Sequence, residues 1–166
     1  MLTILSLWSA VADARIQIIL NDTVPPEISI RVGHPRRVST VSFTVDPVEL
    51  GNGTPVEGSP RRILIELEIR STAANPLTGT LTVDSLSDPL KDTNTSSTIP
   101  FSEISWVSNR PAHIPSGVFQ ETVDQHIIDY DSSRRIRAWH TFSYANSMVI
   151  EAGTYKGSVK YTWAVP

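Results

Sequence analysis

The sequence predicts an all-β fold, an immunoglobulin-like antiparallel β-sandwich of about eight to nine strands with no substantial helix. Apolar and polar residues alternate with period two in short segments, which is typical of strands that expose one face to solvent. Clusters rich in proline, glycine, asparagine and aspartate separate these segments and hold most of the twelve prolines. No stretch of ten or more residues has an apolar period near 3.6, so nothing indicates a helix. Short strands, frequent turns and one solvated face favour a sandwich.

The clearest alternation is found in three segments of the first half of the chain, EISIRV at 27–32, VSTVSFTV at 38–45 and RILIELEIR at 62–70. In each segment, branched or aromatic side chains occupy one face and charged or hydroxyl side chains occupy the other, as half-buried antiparallel strands require. The weaker strand predictions are 15–20, 79–85, 104–108, 117–123 and 135–145.

The final segment, EAGTYKGSVKYTWAVP at 151–166, gives the last predicted strand, from Tyr155 onward. We expect one face of this strand to point inward, with Tyr155, Val159, Tyr161 and Trp163 on it. Gly157 has no side chain, so we expect a neighbouring group to approach the backbone closely there. In a complete sandwich such a terminal strand can be an inner member of a sheet.

Length, charge and cysteine content restrict the class of protein. A chain of 166 residues is long enough for one domain with a substantial core and too short for two ordinary ones. A formal charge of −3 argues against nucleic acid and anionic membranes as partners. The absence of cysteine excludes disulfides, thiolate metal sites and cysteine nucleophiles. We expect no cofactor.

The first fourteen residues, MLTILSLWSAVADA, resemble a secretory leader. An apolar stretch at 2–8 is followed by small residues that end on Ala12-Asp13-Ala14, which is typical of a cleavage site. The segment has no positive charge before the apolar stretch, so either translation begins upstream or the segment is an extra strand or a short helix. We predict a signal peptide at 1–14, an exported protein, a single sandwich domain at 15–166 and no transmembrane span, because the apolar stretch is too short.

No motif identifies an enzyme. The sequence contains no G-x-S-x-G, no H-E-x-x-H and no phosphate-binding glycine loop, and the four histidines are scattered. His140 falls on the apolar face of its predicted strand, so we expect a buried, hydrogen-bonded structural histidine. We therefore predict a protein that is not an enzyme.

The stretch ETVDQHIIDYDSS at 121–133 has the composition of a binding site. Its Asp124, Asp129 and Asp131 are weak candidates for a hard cation such as calcium, because carboxylate oxygens are the ligands that this ion prefers. The stretch lacks the glycine and the terminal glutamate of a calcium loop. A solvated turn is the alternative interpretation.

Two aromatic residues are candidates for an exposed binding surface, Trp139 and Tyr130. Trp139 falls on the polar face of its predicted strand, where an indole could stack on a sugar ring or on a partner protein. A bulge that shifts the register by one residue would place it in the core instead.

The final strand and the beginning of the chain together resemble a known group. The pattern A-G-T-Y-x-G-S-V-x-Y-T at 152–162 is similar to the closing strand of bacterial exported immunoglobulin-like domains, including fimbrial and pilin-type subunits. RIQIILNDTVPPEISIRV at 15–32 and IPFSEISWVS at 99–108 resemble strands of the same group. The proline pair at 25–26 and the arginine-rich middle depart from it.

This resemblance implies a non-enzymatic function. In such subunits the amino-terminal strand is donated to a groove in the next copy, so residues 15–24 would be the donor strand and Ile16, Ile18 and Leu20 its pocket-filling face. The expected function is a structural or adhesion subunit of a cell-surface or pilus-like assembly, with another copy or a chaperone as protein partner. The alternative is a self-contained exported module that binds carbohydrate or protein. The two functions differ in whether the strand 15–24 is donated to another copy or completes its own domain.

Overall fold

The all-β fold is confirmed by a computed structural model, which describes residues 9–13, 27–33, 39–70, 77–131 and 135–165. The described residues form thirteen β-strands, nine of them three or more residues long, and two 3₁₀ helices at Pro47–Glu49 and Phe101–Glu103. The strands are β1 Ser9–Asp13, β2 Glu27–Val32, β3 Val56–Glu57, β4 Ile63–Arg70, β5 Gly79–Asp84, β6 Leu90–Asp92, β7 Thr98–Ile99, β8 Ile104–Ser108, β9 Gly117–Val118, β10 Gln125–Tyr130, β11 Arg135–Tyr144, β12 Tyr155–Lys156 and β13 Lys160–Ala164.

Every strand pairing is antiparallel. A four-stranded sheet, here called sheet A, has the order β1-β13-β5-β10. A six-stranded sheet, sheet B, has the order β2-β4-β11-β8-β9, with β3 pairing to β11 beside β4. A small third sheet has the order β12-β6-β7. The last strand, β13, is an inner strand of sheet A, as the sequence allowed.

The core lies between the inner faces of sheets A and B. Trp163 and Leu81 from sheet A are fully buried and belong to one apolar cluster with Ile65 and Ile136 from sheet B. Burial of a side chain of this size stabilises the fold by about 1.5–3 kcal/mol. Tyr161 is also buried, and Tyr155 and Val159 are half-buried against the core, so the predicted inward face of the last strand is confirmed.

β11 is the central strand of sheet B. It pairs with β4 from Arg135 to His140 and with β8 from His140 to Tyr144. Its burial alternates along ten residues, because the even-numbered side chains face the core. His140 is one of these buried side chains, as predicted.

Three predicted strands are shorter than expected. The segment 40–45 forms only one bridge, Ser42 to Ser59. In 117–123 only Gly117–Val118 is a strand, and Glu121 has a positive φ of 54°, which ends the extended backbone. The last strand is interrupted at 157–159, where a Cβ on Gly157 would lie 2.7 Å from the Pro89 carbonyl oxygen. The close approach expected at this glycine is therefore confirmed.

The structure also forms strands in two segments where a strand is not the main prediction. β10 lies within the acidic stretch that we interpreted as a turn or a cation site. β1 lies within the predicted leader. The predicted strand 15–20 lies outside the described residues.

Candidate interaction site at the sheet edges

The first candidate site is the outer edge of β13, which we call the β13 edge. β13 lies between β5 and β1, and β1 pairs with it over five residues, from Ser9 opposite Ala164 to Asp13 opposite Lys160. Sheet A is thus completed on this side by a five-residue strand from the opposite end of the chain. β1 is itself the outermost strand of sheet A.

An edge of this kind binds extended chain segments. The backbone N–H and C=O groups of a sheet edge pair with any extended strand, and the alternate side chains of that strand set its register. At the β13 edge the inner side chains are Tyr161 and Trp163, which are buried, while Thr162 points to the outer face. An incoming strand with apolar residues at every second position would continue the core past Trp163.

The predicted donor side chains Ile16, Ile18 and Leu20 lie outside the described residues, as does the rest of the segment 14–26. Their sequence has the alternation that such an edge requires. That they occupy this edge is a prediction.

The second candidate site lies where the edge strands β9 of sheet B and β10 of sheet A meet. A groove of about 440 Å³ separates these edges. Trp106 and Phe119 form its apolar floor, and their ring centroids lie 4.8 Å apart. Its lining is Trp106, Pro115, Ser116, Gly117, Val118, Phe119, Gln120, Gln125, His126 and Ile127.

Gln125, one of the lining residues, is buried and bridges the two edges. Its Nε2 donates to the carbonyl oxygen of Val118, and its Oε1 accepts from the N–H of Gln120. β10 also carries a bulge, because the register with β5 shifts between His126 and Ile128. Bulges protect sheet edges from further strand pairing, so β10 is a poor acceptor of an added strand.

His126, Asp129 and Thr80 form an exposed hydrogen-bonded group on the outer face of sheet A. The hydroxyl of Thr80 donates to Asp129 Oδ1 at 2.7 Å, and His126 Nε2 lies 3.1 Å from the same oxygen. The bond from Thr80, and after it the one from His126, holds the pKa of the Asp129 carboxyl below its usual range.

The other two carboxylates proposed as cation ligands lie apart from this group. Asp124 is exposed in the turn before β10, and Asp131 is exposed just after the strand. Among the residues that the structure describes, no group of three His, Asp or Glu side chains could hold a metal ion.

The two aromatic candidates lie on different surfaces. Trp139 is half-buried on the outer face of sheet B, directly opposite Leu64, and its backbone N–H donates to Asn109 Oδ1. The bulge that would have turned it inward is absent from the β4–β11 register. Tyr130 is half-buried at the end of β10 and packs against the core. The two rings therefore do not form one binding surface.

His140 is a core residue. Its ring stacks on Trp106 with centroids 6.1 Å apart and an angle of 15° between the planes. Neither ring nitrogen has a hydrogen-bond partner, which differs from the expectation of a hydrogen-bonded histidine. Burial lowers the pKa of His140 to about 4, so the ring is neutral at pH 7.

Charged side chains cover part of the outer face of sheet B. Arg31 and Arg135 lie 3.5 and 3.7 Å from Glu66, and Arg135 also contacts Glu68 at 3.2 Å. For Glu68, partial burial raises the pKa, but hydrogen bonds and charges from Arg70 and Arg135 outweigh it and leave the pKa lowered. This network neutralises Arg135 at the beginning of β11 and Arg31 on β2.

Exposed apolar side chains that the sequence did not indicate lie on two loops. Val48 is 90% exposed and Val149 is 85% exposed, and Met148 lies beside Val149. These residues lie in loops, where no periodicity distinguishes an exposed valine from a buried one. The exposure of these side chains is therefore evident only from the folded structure.

Comparison of the chain with protein-family models, with curated proteins and with solved structures finds no match. No helix among the described residues is long and apolar enough to cross a membrane.

Proposed function

We propose that this protein is an exported, non-enzymatic structural or adhesion subunit of a cell-surface assembly, and that its copies associate by β-strand addition at the β13 edge. The observation that carries the proposal is the pairing of β1 with β13. β1 lies entirely within residues 1–14, the segment with the pattern of a cleaved leader.

Cleavage after Ala14 would remove all of β1 and leave β13 with a free edge. The new amino-terminal segment, RIQIILNDTV at 15–24, has branched apolar residues at alternate positions. Added to the β13 edge of the next copy, it would restore the backbone hydrogen bonds that β1 makes, with Ile16, Ile18 and Leu20 facing the core. Each copy would then give one strand and accept one, which extends a chain of subunits.

The test is the association state of the processed chain, which begins at Arg15. We expect oligomers by light scattering after size exclusion, and we expect excess peptide 15–24 to reduce them to monomers. The matched control is the same peptide with Ile16, Ile18 and Leu20 replaced by Asp, which should not block association. A processed chain that stays monomeric at high concentration would contradict the proposal.

A second variant tests the edge in the full chain. Val11 and Thr162 are directly opposite each other in the β1–β13 register, and the chain has no other cysteine. A disulfide between Val11→Cys and Thr162→Cys would lock β1 in place. The oxidised protein should not bind the 15–24 peptide. Reduced protein lacking residues 1–8 should bind the peptide more tightly than the oxidised protein does.

One observation favours the alternative, a self-contained exported module that binds protein or carbohydrate. With β1 in place, the β13 edge is already completed within the chain. If the full chain is the working form and never associates through β13, the exposed loops become the functional surface. A screen of glycans and of candidate protein partners against the disulfide-locked chain distinguishes the two functions.

A further inference from the structure

The two most exposed large apolar side chains of the described residues, Val48 and Val149, lie at one end of the sandwich. Val48 and Val149 are 90% and 85% exposed, and Met148 is 39% exposed. A Cβ on Gly51 would lie 2.6 Å from Val149 Cγ2, so the loop that follows Val48 packs directly against the loop of Val149. We call Val48, Met148 and Val149 the apolar tip.

The tip is held in a fixed shape by buried Asn146. The Oδ1 atom of Asn146 accepts from the Gly51 N–H, and its Nδ2 donates to the carbonyl oxygen of Glu49 and to Asn52 Oδ1. Ser147 is bound on the other side by Glu103. A pre-organised loop loses little conformational entropy when it binds a partner.

The tip is surrounded by negative charge. The segments 44–56, 97–105 and 143–155, which build this end, contain Asp46, Glu49, Glu103 and Glu151 and no lysine or arginine. Glu57, which follows the first segment, is already paired with Arg61 at 3.1 Å. A partner that fits the tip must therefore have apolar side chains with basic residues around them.

The outer face of sheet B has this composition. Val107, opposite Thr141 in the β8–β11 register, is 62% exposed, and half-buried Trp139 lies two residues along β11 from Thr141. Arg137 follows on the same face of β11, Arg62 comes just before β4 and Arg110 just after β8. None of these three exposed arginines has an ion pair with another described residue. We call Val107, Trp139 and the three arginines the arginine face.

We propose that the apolar tip of one copy docks on the arginine face of a second copy. Apolar contact between the valines and Val107 and Trp139 supplies the attraction, and the carboxylates around the tip pair with Arg62, Arg110 and Arg137. The two patches differ, so the contact is heterologous and each docked copy leaves one tip and one face open. This contact does not use the β13 edge and goes beyond the proposed function.

The test uses the full chain with the oxidised Val11→Cys, Thr162→Cys disulfide, so that strand exchange is blocked. The tip variant is Val48→Ser with Val149→Ser, and the face variant is Val107→Glu with Arg137→Glu. The matched control is Leu86→Ser with Val123→Ser, two exposed apolar residues that belong to neither patch. Circular dichroism and thermal melting verify that each variant folds.

We expect the locked parent and the control to associate by sedimentation velocity at about 20 mM salt and to dissociate at about 300 mM, where the Debye length falls to roughly 6 Å. The tip variant and the face variant alone should associate at least tenfold more weakly. Mixed together they should form one-to-one pairs, because the intact face of the first meets the intact tip of the second. A monomeric parent, a tip variant that associates like the parent, or a mixture that forms no pairs would overturn the proposal.

Discussion

The indole of Trp163 occupies the space that a side chain at Gly79 would need, since a Cβ on Gly79 would lie 2.2 Å from Trp163 Cζ2. Gly79 begins β5 and Trp163 lies on the neighbouring strand β13, where it is fully buried. The strand that completes the core thus depends on the absence of one methyl group on the strand beside it. Neither residue alone indicates this relationship in the sequence.

Gly79→Ala should lower the free energy of unfolding by about 1–3 kcal/mol, because overpacking forces the indole from its position. Urea denaturation measures the loss. The control is Thr78→Ala at the exposed residue just before β5, which should change stability by less than about 0.5 kcal/mol. Adding Trp163→Phe to Gly79→Ala should cost less than the sum of the two single changes, since both act on one contact. Additive losses would show that the two residues do not compete for space.

His140 should make the fold sensitive to acid. Its folded pKa of about 4 lies below the unfolded value near 6.5, so between these values the unfolded chain binds the extra proton and stability falls as the pH falls. From pH 7 to pH 5 this single group should cost about 2 kcal/mol. His140→Leu removes the titrating ring and two unpaired buried nitrogens, so the variant should lose less stability over this range. Urea titrations of both proteins at the two pH values measure the difference, and equal losses would contradict the prediction.

The Thr80 hydroxyl should be the main cause of the low pKa of Asp129, because it donates the shorter of the two hydrogen bonds to Oδ1. Thr80→Val keeps the shape and removes the donor, so the pKa should rise toward its ordinary value. A carbon-13 NMR titration of the aspartate carboxyls measures it. Thr82→Val, one position along the same outer face, is the control and should leave Asp129 unchanged.

Alternation predicted burial better than it predicted strand pairing. The strands β4 and β11, each with a paired neighbour on both sides, lie where the sequence placed them, although Leu64 and Glu66 on the outer face of β4 are buried as well. In 41–45 the alternation also matches burial, since Val41, Phe43 and Val45 are half-buried and the residues between them are exposed. Yet this segment forms only a single bridge, because backbone pairing needs a partner strand that a local pattern cannot supply.

The missed strands have different causes. In β10 the bulge at Ile127 shifts the alternation by one residue, so the stretch had no clean period and its acidic residues suggested a turn. In β1 the small apolar residues fit both an edge strand and the end of a leader. The apolar tip and the arginine face combine residues far apart in the chain, and such sites are visible only in the folded structure.

Asn146 should control the shape of the apolar tip without contributing to its charge. Asn146 has a positive φ of 53°, which glycine adopts without strain and alanine does not. Asn146→Gly should therefore lose only the side-chain hydrogen bonds to Gly51, Glu49 and Asn52, at about 1–3 kcal/mol, and Asn146→Ala should lose roughly 1 kcal/mol more. Urea denaturation compares the two variants, and amide exchange at Gly51 reports the broken bond directly.

The same substitution separates shape from composition in the docking contact. Asn146→Gly leaves Val48, Val149 and every carboxylate of the tip in place, so a contact that needs only charge and apolar content would keep its strength. Because a loosened loop must be ordered again on binding, we expect the variant to associate more weakly at low salt while it still dissociates at high salt. Sedimentation of the locked chain with and without Asn146→Gly measures the change, and an unchanged association would mean that the rigid tip is not what the arginine face recognises.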